Sequence, residues 1–375
     1  MTAARIPVTV LTGFLGSGKT TVLNRLLRQP ALDGTVAIIN EFGAVGLDHL
    51  LAESSEESFA LLDNGCICCT VRDDLVATLK QVHARSRDGA LPPVRRILVE
   101  TTGLADPVPI LHTLAVEPAL TALFAIDGVV ATVDAVNGLA TLAAHAEAAK
   151  QVAVADRLLI TKTDLADPAA FAALEARLAQ LSPTAGRLQV RHGAVAADQV
   201  LGCGLEAAGQ GAGLAGWFEA ASLAADRAAA QRRAPACDDP ACGHDHHDDH
   251  HHHHHDAGPH HGISAHAFVI DEALQWDAFA QWLDYVTALK GEDLLRMKGL
   301  LHMADEPDRP LVVHAVQHVV HPPVRLDAWP DAERRSRLVF IVRDIDREVI
   351  ERTLARFASI DTGRMARPAS ALRVA

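Results

Sequence analysis

Short apolar runs alternate with longer amphipathic stretches from residue 6 to about residue 191. The short runs are rich in β-branched residues, which is typical of strands in a sheet covered on both faces. The predicted strands are Pro7–Leu11, Thr35–Ile39, Arg96–Val99, Gly128–Val133, Arg157–Ile160 and Arg187–Val190. Apolar spacing between them predicts helices at Thr20–Arg28, Asp73–Arg85, Leu139–Ala149 and Pro168–Leu181. This alternation predicts an α/β fold with a doubly wound, mostly parallel sheet.

The pattern changes in the second half of the chain. Gly202–Gly216 is rich in glycine, Trp217–Arg233 is predicted to be a helix, and Ala234–Gly262 is an Asp/His-rich stretch that we expect to be a disordered linker. Strands and helices are predicted again at Ile263–Ile270, Trp276–Lys290, Leu294–Met303, Leu311–Val319, Arg337–Val342 and Asp346–Phe357. Their order predicts a smaller α+β C-terminal domain, and we expect a division into residues 1–216, 217–262 and 263–375.

Composition narrows the function classes. The 375 residues suffice for two domains, and 4% aromatic content suits helices packed on a sheet better than a β-sandwich. The net charge of −13 and the lack of a basic stripe argue against a nucleic-acid partner. The sequence shows no signal peptide and no apolar run long enough to cross a membrane, so we expect a cytoplasmic protein with no membrane partner.

A glycine-rich segment lies between the first predicted strand and helix. Residues 13–20 read Gly-Phe-Leu-Gly-Ser-Gly-Lys-Thr, which matches the phosphate-binding P-loop pattern in its expected context. Glycines allow backbone N–H groups to face an anion, the lysine reaches the β- and γ-phosphates, and the threonine hydroxyl ligates Mg²⁺. An ordinary glycine-rich turn is the alternative. The predicted nucleotide-binding residues here are Gly13, Gly16, Ser17, Gly18, Lys19, Thr20 and Thr21.

The tetrapeptide Thr161-Lys162-Thr163-Asp164 follows a predicted strand and resembles the guanine-reading element of GTPases. In that element the carboxylate, here Asp164, accepts from guanine N1 and the exocyclic amine, while the Lys162 stem packs on the base. Adenine would leave the carboxylate unpaired, so the element predicts GTP and GDP rather than ATP. A polar loop of no special function is the alternative, and a P-loop ATPase or small-molecule kinase would lack this preference.

A third element belongs to the same predicted site. Glu100 ends a buried-type strand, where we expect the carboxylate that holds Mg²⁺ through water, and Gly103 follows at the position of a γ-phosphate sensor. With Lys19 and Thr20, Glu100 completes the predicted catalytic set. Leu104 stands where small GTPases place the glutamine that orients water. We therefore expect slow intrinsic hydrolysis and a switch rather than a fast hydrolase.

Three of the six cysteines lie within four positions, in Asn64-Gly65-Cys66-Ile67-Cys68-Cys69. Three thiolates with a carboxylate or water as fourth partner suit tetrahedral Zn²⁺, so Cys66, Cys68 and Cys69 are the predicted metal ligands. Spacing alone leaves two alternatives open, a buried thiol cluster and a redox pair.

These motifs occur in the order seen in the CobW family of metallochaperone GTPases, which the chain resembles over nearly its whole length. The resemblance includes Glu41 within Asn-Glu-Phe-Gly, the segment Glu100–Pro107, and Leu295–Gly299 near the C-terminus. It implies a GTP-dependent carrier that binds Zn²⁺ or Co²⁺ at the three cysteines and hands it to a client metalloenzyme. It also makes Glu41 a candidate metal ligand or switch residue. Ala44 departs from the family's pattern, in which a glutamate often follows Asn-Glu-Phe-Gly. A role for a second carboxylate in metal or switch chemistry is therefore in doubt.

An internal tract of imidazoles and carboxylates, preceded by Cys237 and Cys242, is a candidate for weak metal binding. We interpret it as a buffer or capture arm for the cysteine site, against the alternative of a solvated linker. Its predicted accessory ligands are His244, His246, His247, His250, His251, His252, His253, His254 and His255.

The remaining candidates have simpler interpretations. His314, His318 and His321 are expected to be structural or partly exposed, and no function is assigned to Cys203. A zinc buffer with incidental GTPase activity stays open as a second function. We expect a client metalloprotein as partner and leave a homo-oligomer open.

Overall fold

A computed structural model of the chain describes residues 5–39, 59–61, 71–204, 262–358 and 365–366. Several predicted features lie outside these described residues. They are the helix Trp217–Arg233, the Asp/His-rich stretch, and the candidate metal ligands Glu41, Cys66, Cys68, Cys69, His244, His246, His247 and His250–His255.

The N-terminal sheet has seven parallel strands in the order β3-β2-β4-β1-β5-β6-β7. The strands are β1 Ile6–Gly13, β2 Thr35–Ile39, β3 Phe59–Leu61, β4 Arg96–Glu100, β5 Phe124–Asp134, β6 Arg157–Thr161 and β7 Gly186–Val190. Because β1 lies between β4 and β5, the loops that follow these three strands meet at the carboxyl edge of the sheet. This is where open α/β sheets bind ligands.

Helices cover both faces of this sheet, which confirms the predicted doubly wound fold. They are α1 Lys19–Leu27, α2 Val71–Arg87, α3 Val108–Val116, α4 Pro118–Thr121, α5 Gly138–Ala144, α6 Ala146–Val154, α7 Pro168–Leu181 and α8 Ala197–Val200. The helices α1 and α8 share one core with the side chains of one sheet face, while α2 to α7 pack on the other face.

The predicted single helix over residues 139–149 is wrong. The structure has α5 and α6 instead, because His145 between them is extended, with φ −127° and ψ 115°. Its ring stacks on Phe14 of the P-loop, with the ring centroids 4.5 Å apart. The break therefore brings the junction of two short helices against the predicted phosphate-binding segment.

The C-terminal sheet is antiparallel, in the order β11-β10-β9-β13-β8-β14, with β12 paired to β10. Two helices, α9 (Trp276–Lys290) and α10 (Arg347–Ala358), pack together. Phe279 and Trp282 of α9 are buried and form a core with the side chains of the sheet. This confirms the α+β class. The bounds are β8 Ile263–Ile270, α9 Trp276–Lys290, β9 Leu294–Leu301, β10 Leu311–Val316, β11 Val319–Val320, β12 Val324–Arg325, β13 Ser336–Arg343, α10 Arg347–Ala358 and β14 Met365–Ala366.

The two sheets are joined by a shared core. Four apolar side chains of the C-terminal sheet belong to the same buried cluster as α6 and α7 of the N-terminal part: Ile263, Leu295, Val316 and Ile341. The contact between the two sheets is therefore continuous with the hydrophobic core of the N-terminal sheet. Among the described residues, no helix is both long enough and apolar enough to cross a membrane.

A charged cluster is buried in the same contact. The Arg296 guanidinium donates to the carboxylate of Asp156 and to the carbonyl of Val154, and Lys298 Nζ lies 3.0 Å from Asp156 Oδ1. Asp156 also accepts from the Val129 N–H at 2.9 Å. Burial acts to raise the pKa of Asp156, but the charges of Arg296 and Lys298 outweigh it and hold that pKa below its usual value. Asp156 thus stays ionised inside the fold.

Two histidine rings stack beside this cluster, with the centroids of His314 and His321 4.6 Å apart and their planes 6° from parallel. Burial is the main cause that lowers both pKa values, that of His321 to about 4. Burial, followed by the charge of Arg296, also lowers the pKa of Lys298 to about 7. The stacked rings are therefore neutral at pH 7, which avoids further positive charge beside Arg296.

Candidate nucleotide site

The P-loop connects β1 to α1 through glycines with positive φ, at 136° for Gly13, 69° for Gly16 and 92° for Gly18. A Cβ at position 13 would lie 2.5 Å from the Thr132 carbonyl oxygen. Only glycine allows this approach without displacing β5. Gly18 is the N-cap of α1, so the loop ends at a helix N-terminus, where backbone N–H groups favour an anion.

The side chains of the loop reinforce this shape. Ser17 Oγ donates to the Phe14 carbonyl at 2.6 Å and lies 2.6 Å from Thr132 Oγ1. Lys19 is buried, and its Nζ donates to the carbonyls of Gly13 at 3.0 Å and Phe14 at 3.2 Å. The lysine therefore lies across its own loop and adds positive charge beside the helix N-terminus.

The structure brings Thr20 and Glu100 together from elements that are 80 residues apart. The Thr20 hydroxyl donates to Glu100 Oε1 at 2.7 Å, and the Glu100 side chain is buried at the end of β4. A hydroxyl and a carboxylate oxygen side by side are hard ligands of the kind that Mg²⁺ prefers. These two residues consequently fit a magnesium ion next to the P-loop.

The loop after β4 packs on the tip of the P-loop. A Cβ on Gly103 would lie 2.6 Å from the Leu15 backbone nitrogen, so this contact requires glycine. Gln151 of α6 is buried, and its Nε2 donates to the carbonyls of Gly103 at 3.2 Å and Ala105 at 2.9 Å. Leu104 between them is 53% exposed. One side chain of α6 thus fixes the loop that carries the predicted γ-phosphate sensor.

The segment after β6 adjoins the P-loop. Thr161 Oγ1 donates to the Ser17 carbonyl at 2.7 Å, and Lys162, with φ 56°, has its Nζ 2.8 Å from Asp134 Oδ2. Asp164 Oδ2 lies 3.7 Å from Nε2 of the exposed His192 ring. Residues predicted from separate motifs therefore share one edge of the sheet.

Another contact closes this side of the site. A Cβ on Gly193, which has φ 72°, would lie 2.9 Å from the Thr21 carbonyl oxygen, so glycine allows the loop after β7 to reach α1.

Between the P-loop and the helices α5 and α6 lies a cavity of about 300 Å³, lined by Phe14, Asp134 and Lys162 among others. The cavity therefore lies beside the P-loop, at the carboxyl edge of the sheet.

Three residues of this site were missed by the sequence analysis, namely Thr132, Asp134 and Gln151. Asp134 had a detectable signal, because it ends the strand that lies between those carrying the P-loop and the Thr161–Asp164 segment. Gln151 had none, since an amide inside an apolar helix looks like any other polar position. Among the described residues, no group of three or more His, Cys, Asp or Glu side chains could hold a metal ion.

Comparisons with known proteins agree with the fold. The family profile "CobW/HypB/UreG, nucleotide-binding domain" matches residues 7–189, and "Cobalamin synthesis protein cobW C-terminal domain" matches residues 263–358. The zinc chaperone YjiA of Escherichia coli is 39% identical over 188 residues, which cover 50% of this chain and 58% of that protein. The zinc chaperone CobW of Sinorhizobium sp is 29% identical, with 93% and 98% covered. The crystal structure of Zn(II)-bound YjiA GTPase from E. coli has a TM-score of 0.64 and 25% identity, covering 94% of this chain and 99% of that one.

Proposed function

Because the chain belongs to the CobW family of P-loop GTPases, we propose that it is a GTP-hydrolysing metallochaperone that carries Zn²⁺ to a client metalloprotein. The observation that carries the proposal is the meeting of the P-loop, the Thr20–Glu100 pair and the Thr161–Asp164 segment at one edge of the sheet. The names of the relatives support zinc as the cargo, since two of them are zinc chaperones.

In the proposed reaction, water attacks the γ-phosphate of GTP, the bond to the β-phosphate breaks, and GDP and phosphate are released. Lys19 and the N–H groups of the P-loop stabilise the negative charge of the phosphates. Thr20 and Glu100 would hold Mg²⁺, which neutralises phosphate charge when bound. Asp164 selects guanine. With Leu104 in place of a water-orienting glutamine, we expect slow turnover.

We propose that the cargo binds at Cys66, Cys68 and Cys69, with Glu41 as a further ligand, and that Zn²⁺ is preferred to Co²⁺. Residues 41–69 lie in sequence between the P-loop and Glu100, where GTPases keep a nucleotide-sensitive switch. Metal affinity would therefore depend on the nucleotide, and linkage requires the metal to change GTP affinity by the same factor. The tract His244–His255 would act as an accessory buffer.

The test is a Zn²⁺ titration of the full chain with GDP and with a non-hydrolysable GTP analogue. We expect different affinities in the two states, and loss of the tight site when all three cysteines are replaced by serine. Cys203→Ser is the matched control, because Cys203 is buried and burial raises its thiol pKa to about 12, so it stays a thiol. Equal Zn²⁺ affinity with both nucleotides would refute the coupling.

Two further measurements separate the proposal from its alternatives. Direct competition between GTP and ATP tests the nucleotide, since an ATPase or kinase would favour ATP. Delivery of zinc to an apo-metalloprotein by Lys19→Ala tests the need for GTP, because a zinc buffer would deliver without it. The three-part division of the chain, the cytoplasmic location and a homo-oligomer stay predictions.

A further inference from the structure

Asp134, the last residue of β5, uses its two carboxylate oxygens for different purposes. Oδ1 accepts from the backbone N–H of Val136 at 2.8 Å and of Asn137 at 3.3 Å, which forms the turn before α5. Oδ2 accepts from Lys162 Nζ at 2.8 Å and from the Asn137 side-chain amide at 3.1 Å. One oxygen therefore builds the turn, and the other holds the lysine.

The backbone around Lys162 is fixed independently. The Thr161 hydroxyl donates to the Ser17 carbonyl, and the N–H of Leu165 donates to the Lys162 carbonyl at 3.0 Å. The Asp134 side chain is 11% exposed and that of Lys162 38% exposed, so the ion pair is partly shielded from water. Burial acts to raise the pKa of Asp134, but hydrogen bonds from Lys162 and Asn137 outweigh it and lower that pKa. The carboxylate of Asp134 therefore stays ionised and can hold the ammonium group of Lys162.

We propose that Asp134 is a positioning residue for guanine nucleotides, which holds Lys162 in the orientation that its stem needs for packing on the base. The inference rests on the proposed function, because it assumes that the Thr161–Asp164 segment reads guanine. A long flexible side chain that is already fixed loses less rotamer freedom when a ligand binds. Asp134 therefore contributes to nucleotide affinity without contacting the base.

The division between the two oxygens makes Asp134→Asn a selective probe. Asparagine keeps an oxygen for the N–H groups of Val136 and Asn137, while its amide group replaces the acceptor that Lys162 and the exposed Asn137 side-chain amide use. We expect GDP to bind about three- to tenfold more weakly, as measured by titration with a fluorescent analogue, with an unchanged melting temperature. In a Lys162→Ala background, Asp134→Asn should have no further effect, because the group that it positions is gone.

Inosine diphosphate separates positioning from base reading, since it lacks the exocyclic amine that Asp164 accepts from. Asp134→Asn should weaken the binding of GDP and of inosine diphosphate by the same factor. Asp164→Asn should instead weaken the binding of GDP more than that of inosine diphosphate. Undiminished GDP affinity in Asp134→Asn, or an equal loss in the Lys162→Ala background, would overturn the inference. If Asp134→Asn does not fold, Lys162→Met takes its place and must show the same loss. A wild-type chain that binds ADP as well as GDP would instead contradict the proposed function.

Discussion

Replacement of Asp156 by asparagine should strongly destabilise the chain. Its Oδ1 faces Arg296 and Lys298, and the three side chains are 3%, 1% and 2% exposed. Asparagine keeps an acceptor for the Val129 N–H but removes the negative charge. Removing one partner of a buried ion pair typically costs about 3 to 5 kcal/mol, because the remaining charge is left in the interior. We expect a loss of about 3 kcal/mol, since the low pKa of Lys298 allows it to release its proton.

The assay is urea unfolding of the full chain at pH 7, followed by far-UV circular dichroism. Asp106→Asn is the matched control, because Asp106 forms its ion pair with Lys150 at 2.6 Å near the surface, where its side chain is 36% exposed. An exposed pair contributes about 0 to 1 kcal/mol. Adding Lys298→Met to Asp156→Asn should recover part of the loss. If Asp156→Asn costs no more than Asp106→Asn, the buried cluster does not stabilise the contact between the sheets.

Three other predictions follow from the described geometry. Gly13→Ala should abolish GDP binding in equilibrium titrations, because its Cβ would lie 2.5 Å from the Thr132 carbonyl oxygen; retained binding would contradict this. Gln151→Leu should lower kcat for GTP about tenfold with little change in KM, since Gly103 loses its hydrogen bond from α6; an altered KM alone would argue against it. The unfolding free energy should rise from pH 7 to 9. In this range Lys298 binds more protons in the unfolded chain, where its pKa is near the ordinary 10.5, than in the folded chain, where its pKa is about 7. Lys298→Met should flatten this rise.

The local patterns predicted much of the architecture. Strands such as β1, β2 and β6 are short apolar runs with clear boundaries, and their order gave the parallel sheet. Helix α3 was missed because its buried residues lie on several sides, so no amphipathic period marks it. The break at His145 was missed because nothing in the local pattern marks it, and the stacking of His145 on Phe14 that accompanies it joins residues far apart in sequence.

The candidate site, like the fold, could be predicted from the sequence only in part. Lys19, Thr20 and Glu100 follow from motifs whose chemistry requires particular residues in a particular order, and the structure brings them together. Asp134 could have been noticed at the end of an apolar strand, but its partner Lys162, like the carbonyls that Gln151 binds, is far away in sequence, so only the folded chain shows what either residue does. Each is an ordinary polar residue until the carbonyl or ammonium group that it binds is known.

The shared core has a practical consequence for anyone who cuts this chain into pieces. A fragment that ends before residue 263 would expose the apolar surface that Ile263, Leu295, Val316 and Ile341 cover, and would leave Asp156 without both of its cations. Exposed apolar patches of this kind promote aggregation. Loss of GTP binding in such a fragment would therefore report damage to the nucleotide half itself, and would say little about what the C-terminal half does.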